Sequence, residues 1–185
     1  MLKLNTVVTE QDFIRHIEEY VPLRIEFQPA ISSIEEIYYW RNTNNKYLVE
    51  IKIDARNGGM AEFSLILVPS NWVLLEPSIK NVCSVPVKNK GLPTFDLSPW
   101  TEKLNSKEIG IDPGQRYIDE NSKFRFIVAD DGVAIMFENQ IPHYKIINKK
   151  ISFCFNKSDE LCGVILEDLD VREFELLKLW EEGFQ

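Results

Sequence analysis

Apolar and polar residues alternate along much of this chain. Side chains of a strand point to opposite faces with period two, and that period recurs in both halves. Phe124, Phe126 and Val128 share one face, with Arg125 opposite. Val133, Ile135 and Phe137 line up in the same way. So do Ile151, Phe153 and Phe155, with Ser152, Cys154 and Asn156 on the other side. Asp131-Gly132 predicts a hairpin turn, because Gly tolerates positive φ and Asp bonds its own backbone. Asn156–Glu160 predicts a second polar turn, and Gly163–Glu167 a further strand. These runs predict an antiparallel meander with one apolar face.

The N-terminal half reads similarly. Leu23–Phe27 is a short strand. Tyr47, Val49, Ile51 and Ile53 alternate with Glu50, Lys52 and Asp54. Asn57-Gly58-Gly59 then turns the chain into Ala61–Val68. Over Ile34–Arg41, Ser33 and Glu36 offer a helix start, but Ile37-Tyr-Tyr-Trp40 favours strand, and strand is the reading adopted.

Two segments predict helices. Thr9 to about Tyr20 has Thr9 as cap, Asp12 at the third position and Val8 with Phe13 as a staple. Phe13, Ile14, Ile17 and Tyr20 share its face, with His16 at the border. Near the C-terminus Asp170 is an N-cap with Glu173 three residues on, flanked by Leu169 and Phe174. Val171, Phe174, Leu176, Leu177 and Trp180 give the apolar stripe of that helix, and Gly183 ends it.

Five prolines (Pro69, Pro77, Pro86, Pro93 and Pro99) punctuate the centre. Short edge strands are predicted at Trp72–Leu75 and Val82–Val87. Phe95, Leu97 and Trp100 predict that Gly91–Trp100 packs down onto the core. Ser106–Lys123, with Asp112-Pro113-Gly114, reads as a loop. The expected fold is therefore one α+β domain over 1–185. It has antiparallel β-meanders, an N-terminal helix, and a C-terminal helix packed on the sheet. A division into halves, 1–90 and 91–185, is the alternative.

Composition narrows the function classes. With 185 residues, 44% hydrophobic and 27% charged, the chain can bury a core. Its net charge of −8 would repel phosphate, so no nucleic acid is expected as partner. No apolar run reaches membrane-spanning length, and residues 1–10 lack a signal peptide's pattern. A cytoplasmic protein without membrane association is expected. Cys83, Cys154 and Cys162 are not spaced as CxxC and read as reduced structural thiols.

Signatures of chemistry are missing from the sequence. No glycine-rich phosphate loop and no GxSxG elbow occur. Histidine is confined to His16 and His143, so no metal, cofactor or catalytic residue is assigned. Asp130 and Asp131 read as hairpin residues. Glu167, Asp168 and Asp170 lack the spacing of a calcium loop.

Charge distribution is the discriminating feature. Between Ser158 and Glu182 stand nine acids: Asp159, Glu160, Glu167, Asp168, Asp170, Glu173, Glu175, Glu181 and Glu182. Only Arg172 and Lys178 oppose them, a net of −7. One reading is the solvated face of an amphipathic helix. The sharper reading is a surface that attracts a basic partner, with Asp159, Glu160, Glu167, Asp168, Glu173, Glu175, Glu181 and Glu182 as its contact residues.

In size, acidity and absence of catalytic motifs the chain resembles small acidic immunity proteins of bacterial toxin systems. Residues 91–182 carry the likeness, through Gly91-Leu-Pro-Thr-Phe-Asp-Leu97 and the later Asp-Asp-Gly132 hairpin. The resemblance implies a non-enzymatic protein that neutralises a basic toxin domain, and it transfers no site residues. The competing readings are a small enzyme with a site around His143, and a structural or regulatory subunit of a larger assembly.

Overall fold

Three aromatic contacts join the two halves of the chain. Trp40 meets Phe137 edge-on at 5.6 Å between ring centroids, Tyr47 meets Phe124 at 5.5 Å, and Phe27 lies 6.1 Å from Phe153. The computed structural model describes residues 1–18, 20–29, 36–44, 46–69, 73–105 and 116–182, without the side chains of 44, 105, 181 and 182. Fifteen strands and two α-helices make up the regular structure of these residues.

One sheet has six strands. Its centre is β4 (Ile37–Asn44), β5 (Tyr47–Asp54) and β6 (Met60–Leu67), followed by β3 (Leu23–Phe27) and the edge strand β2 (Phe13–His16). At the other edge β10 (Tyr117–Glu120) runs parallel to β4. The alternation of β5 is realised: Tyr47, Val49, Ile51 and Ile53 are fully buried, while Leu48, Glu50 and Lys52 are half-buried.

The second sheet has seven strands, in the order β7 (Val73–Leu75), β11 (Phe124–Ala129), β12 (Gly132–Phe137), β15 (Leu161–Glu167), β14 (Ile151–Phe155), β13 (Tyr144–Asn148) and β8 (Val87–Lys90). Its inner face carries Phe124, Phe126, Val133, Ile135, Phe153 and Val164, packed on the six-stranded sheet in one core. Its outer face is also apolar. Ile127, Ala134, Met136, Cys154 and Ile165 lie under Ile79 and Cys83 of the connection between β7 and β8, which forms a second, smaller core. A two-stranded sheet, β1 (Leu4–Val8) with β9 (Leu92–Phe95), completes the β structure.

The described residues are mostly β, 54% strand and 14% helix, so the α+β expectation is corrected. The N-terminal helix does not form, and its segment supplies the connection from β1 to β2 and the whole of β2. The cause is tertiary hydrogen bonding. Asn148, fully buried, accepts from the Gln11 N–H at 2.8 Å and donates to the Gln11 carbonyl at 2.9 Å. The Gln28 N–H donates to the Asp12 carbonyl, and Phe13 pairs with Phe27 in register. An isolated helix of this length is marginal in water, whereas the open edge of β3 offers a full ladder.

Other expectations shift slightly. The β11–β12 turn consists of Asp130 and Asp131, and Gly132 already belongs to β12. The predicted strand at Val82–Val87 forms later, as β8. Gly91–Trp100 does pack down, with Phe95 and Trp100 buried, but as β9 followed by α1 (Ser98–Asn105). The Trp100 indole N–H donates to the carbonyls of Tyr39 and Arg116. Part of Ser106–Lys123 is β10, and Asp112-Pro113-Gly114 lies outside the described residues, as do Trp72 and Gly183.

The C-terminal helix α2 (Val171–Glu182) starts as predicted. The Glu173 N–H donates to the Asp170 carboxylate and the Asp170 N–H to the Glu173 carboxylate, each at 2.8 Å. Phe174, Leu177 and Trp180 pack on the core, but Val171 is 80% exposed. Arg15 of β2 holds Glu173 at 2.7 Å, tying the helix to the edge of the six-stranded sheet.

Candidate functional site

Register decides which acids meet. Gly132 at the start of β12 pairs with Glu167 at the end of β15. The β11–β12 turn, with Asp130 and Asp131, therefore lies beside Glu167, Asp168 and Asp170, where the chain leaves the sheet for α2. The Asp168 N–H donates to the Asp131 carbonyl at 3.0 Å. Asp168 has φ 63°, a left-handed turn that Asp tolerates better than most residues. On the other side β7 pairs with β11, and the Glu76 N–H donates to the Val128 carbonyl at 2.9 Å.

One end of the seven-stranded sheet thus gathers Glu76, Asp130, Asp131, Glu167, Asp168 and Asp170. Glu76, Asp130, Asp168 and Asp170 are exposed. Leu75 (44% exposed) and Val171 stand on the same end. Cations here include Lys150, 2.5 Å from Asp168, Arg15, whose guanidinium donates to the Glu167 carbonyl at 3.5 Å, and Lys80. Lys150 holds the Asp168 carboxyl below the usual carboxylate range.

Asp131 has a structural task within this group. Its carboxylate accepts from the Ile79 N–H at 2.7 Å and from the Ser78 hydroxyl at 2.8 Å. Burial opposes ionisation, but these donors bring its pKa below the ordinary value. The contact fixes the 3-10 turn Ile79–Asn81 and, through Ile79, the cover of the smaller core.

The acids singled out in the sequence do not form one patch. Asp159 and Glu160 sit at the far end of β15, about 20 Å from Glu167 at the usual strand rise. Asp159 accepts from the Tyr144 hydroxyl at 2.6 Å and lies 3.4 Å from Lys88. Glu160 accepts from the Asn156 amide at 2.9 Å. Glu173 is occupied by the helix cap and Arg15. Glu175 is exposed on α2, 3.4 Å from Lys178. The side chains of Glu181 and Glu182 lie outside the described residues. Sequence reasoning missed Glu76 and set Asp130 aside as a turn residue. Only the pairings of β7 with β11 and of β12 with β15 unite them with Glu167.

His143 is exposed beside a hollow of about 340 Å³. Asn139, Gln140, Asn156, Lys157 and Ser158 share its lining, and no carboxylate does. His16, on β2, lies 4.0 Å from Glu26. Among the described residues no group of three or more His, Cys, Asp or Glu is placed to hold a metal ion, and no helix is long and apolar enough to cross a membrane. No protein-family model matches the chain. No curated protein matches it either.

Proposed function

We propose that this chain is a non-enzymatic inhibitory binding protein of the toxin-immunity type, and that it docks a basic partner on the acidic end of its seven-stranded sheet. The observation that carries the reading is the register Gly132–Glu167. With the pairing of β7 and β11, it collects acids from three separated stretches of sequence around exposed Leu75 and Val171. Charge at such a rim accelerates encounter with a cationic protein, and an apolar centre supplies the desolvated contact that slows release. Carboxylates spread along this end stand in for the phosphates that a basic nucleic-acid-cleaving toxin would otherwise engage.

The test uses two baits, the natural chain and the variant Glu76→Lys/Asp130→Lys/Glu167→Lys. None of the three side chains joins a hydrogen bond or ion pair given above, so both baits should fold. The reading expects one basic host protein held by the natural chain and lost at high salt. The variant should lose that protein at low salt as well. Equal retention by both baits would overturn it.

A further inference from the structure

We propose that Cys83 and Cys154 form an intramolecular disulfide under hydroperoxide, fastening the connection between β7 and β8 to strand β14. The inference does not depend on the binding function proposed above.

The two residues are 71 positions apart, yet their sulfurs are 3.3 Å apart in the smaller core. Cys83 lies in an irregular stretch after the 3-10 turn, and Cys154 in the middle of β14. Closing to a bond of about 2 Å needs a shift of a little over 1 Å. The irregular stretch can supply this without disturbing the ladder of β14. Cys83 is the one of the pair with a path to solvent, at 6% exposure against 0% for Cys154.

The environment assigns the roles. Cys154 donates its S–H to Cys83. That hydrogen bond, against the effect of burial and with help from the Lys145 ammonium, lowers the Cys83 pKa and favours its thiolate. Lys145 stands directly opposite Cys154 in the β13–β14 ladder. The Cys154 thiol is pushed up by the same contact and by burial. Cys162 shares the core, but burial pushes its thiol up to about 12, so it stays protonated and unreactive.

The chemistry balances with hydrogen peroxide as oxidant. The Cys83 thiolate attacks one peroxide oxygen. An S–O bond forms, the O–O bond breaks, and the leaving hydroxide takes a proton to become water. Cys83 is then a sulfenic acid. Cys154 sulfur attacks the Cys83 sulfur, the S–O bond breaks, and the Cys154 proton leaves with the hydroxide as a second water. Two thiols are oxidised to one disulfide while one peroxide is reduced to two waters.

The bond would hold the connection at both ends, since Asp131 already fixes its start through Ser78 and Ile79. Linking residues so distant in sequence restricts the unfolded chain, so the oxidised protein should melt several degrees higher.

The experiment treats the full chain with a slight excess of hydrogen peroxide, alkylates it in denaturant and maps the peptides by mass spectrometry. The expected result is one alkylated cysteine, Cys162, with a Cys83–Cys154 linked peptide that dithiothreitol releases. In Cys154→Ser, Cys83 should be trapped by a sulfenic-acid-specific dione. Three alkylated cysteines, a link to Cys162, or a bond between two chains would overturn the proposal. The first readout needs no substitution, so a folding defect in the variant cannot mask it.

Discussion

The Asp168 amide donates to the Asp131 carbonyl, and through that bond the turn between β11 and β12 is locked to the segment that launches α2. Asp131 then uses its carboxylate on the other side, for the Ile79 N–H and the Ser78 hydroxyl. One residue connects the acidic end, the helix entrance and the cover of the smaller core.

Asp131→Ala should therefore destabilise the fold by about 1–3 kcal/mol, the usual cost of leaving a buried donor without its acceptor. Urea unfolding measures it. Asp130→Ala, one residue earlier and exposed, should change stability by less than about 0.5 kcal/mol.

Asn148→Ala removes both hydrogen bonds to the Gln11 backbone. The loss should again be about 1–3 kcal/mol. Amide exchange should accelerate first in β2, whose attachment depends on this clamp, and later in β5.

Asp170→Ala removes one half of the reciprocal cap of α2. A cost of about 1 kcal/mol is expected from thermal unfolding. Asp170→Ser should recover most of it, since Ser also accepts the Glu173 N–H.

Gly91 lies at φ +135°, and a Cβ there would strike the Val8 carbonyl oxygen and the Val7 side chain. Gly91→Ala should disrupt the pairing of β1 with β9, with a loss above about 2 kcal/mol from strain and overpacking. Chemical unfolding of the variant checks it.

Stability should fall as pH drops below about 5. Asp54 is held below the carboxylate range by Arg56, Asp96 by the Ser98 N–H, Asp159 by the Tyr144 hydroxyl and Asp168 by Lys150. Asp131 joins them despite its burial. Each folded-state pKa lies under its unfolded value, so the unfolded chain binds more protons in acid. The stabilisation is complete above the unfolded value, near 4, and vanishes as pH passes through the folded values. Urea midpoints across pH 3–7 report the slope.

Much of the strand framework was legible in the chain, because burial on one face imposes period two directly. Leu23–Phe27 and Tyr47–Asp54 form with the predicted limits. The cap of α2 was equally legible, since both partners lie within four residues. What escaped was set by distant partners. Thr9–Tyr20 carries a helical apolar spacing, but Asn148 and the edge of β3 claim its backbone. Val171 belongs to the apolar stripe by spacing and still faces solvent. The acidic end needs the β7–β11 and β12–β15 pairings, and no local pattern encodes which strands become neighbours. The run of nine acids suggested one patch, whereas β15 separates Asp159 and Glu160 from Glu167 and Asp168 by its full length.

The most direct measurement is a titration of this chain into the basic partner captured from its host, with the partner's own toxic or catalytic activity as readout. The account predicts inhibition that saturates at one chain per partner and weakens with salt. It predicts loss of inhibition in Glu76→Lys/Asp130→Lys/Glu167→Lys and none in Glu138→Lys, an exposed acid at the opposite end of β12. Inhibition that survives the triple reversal, or that fails equally with Glu138→Lys, would contradict it.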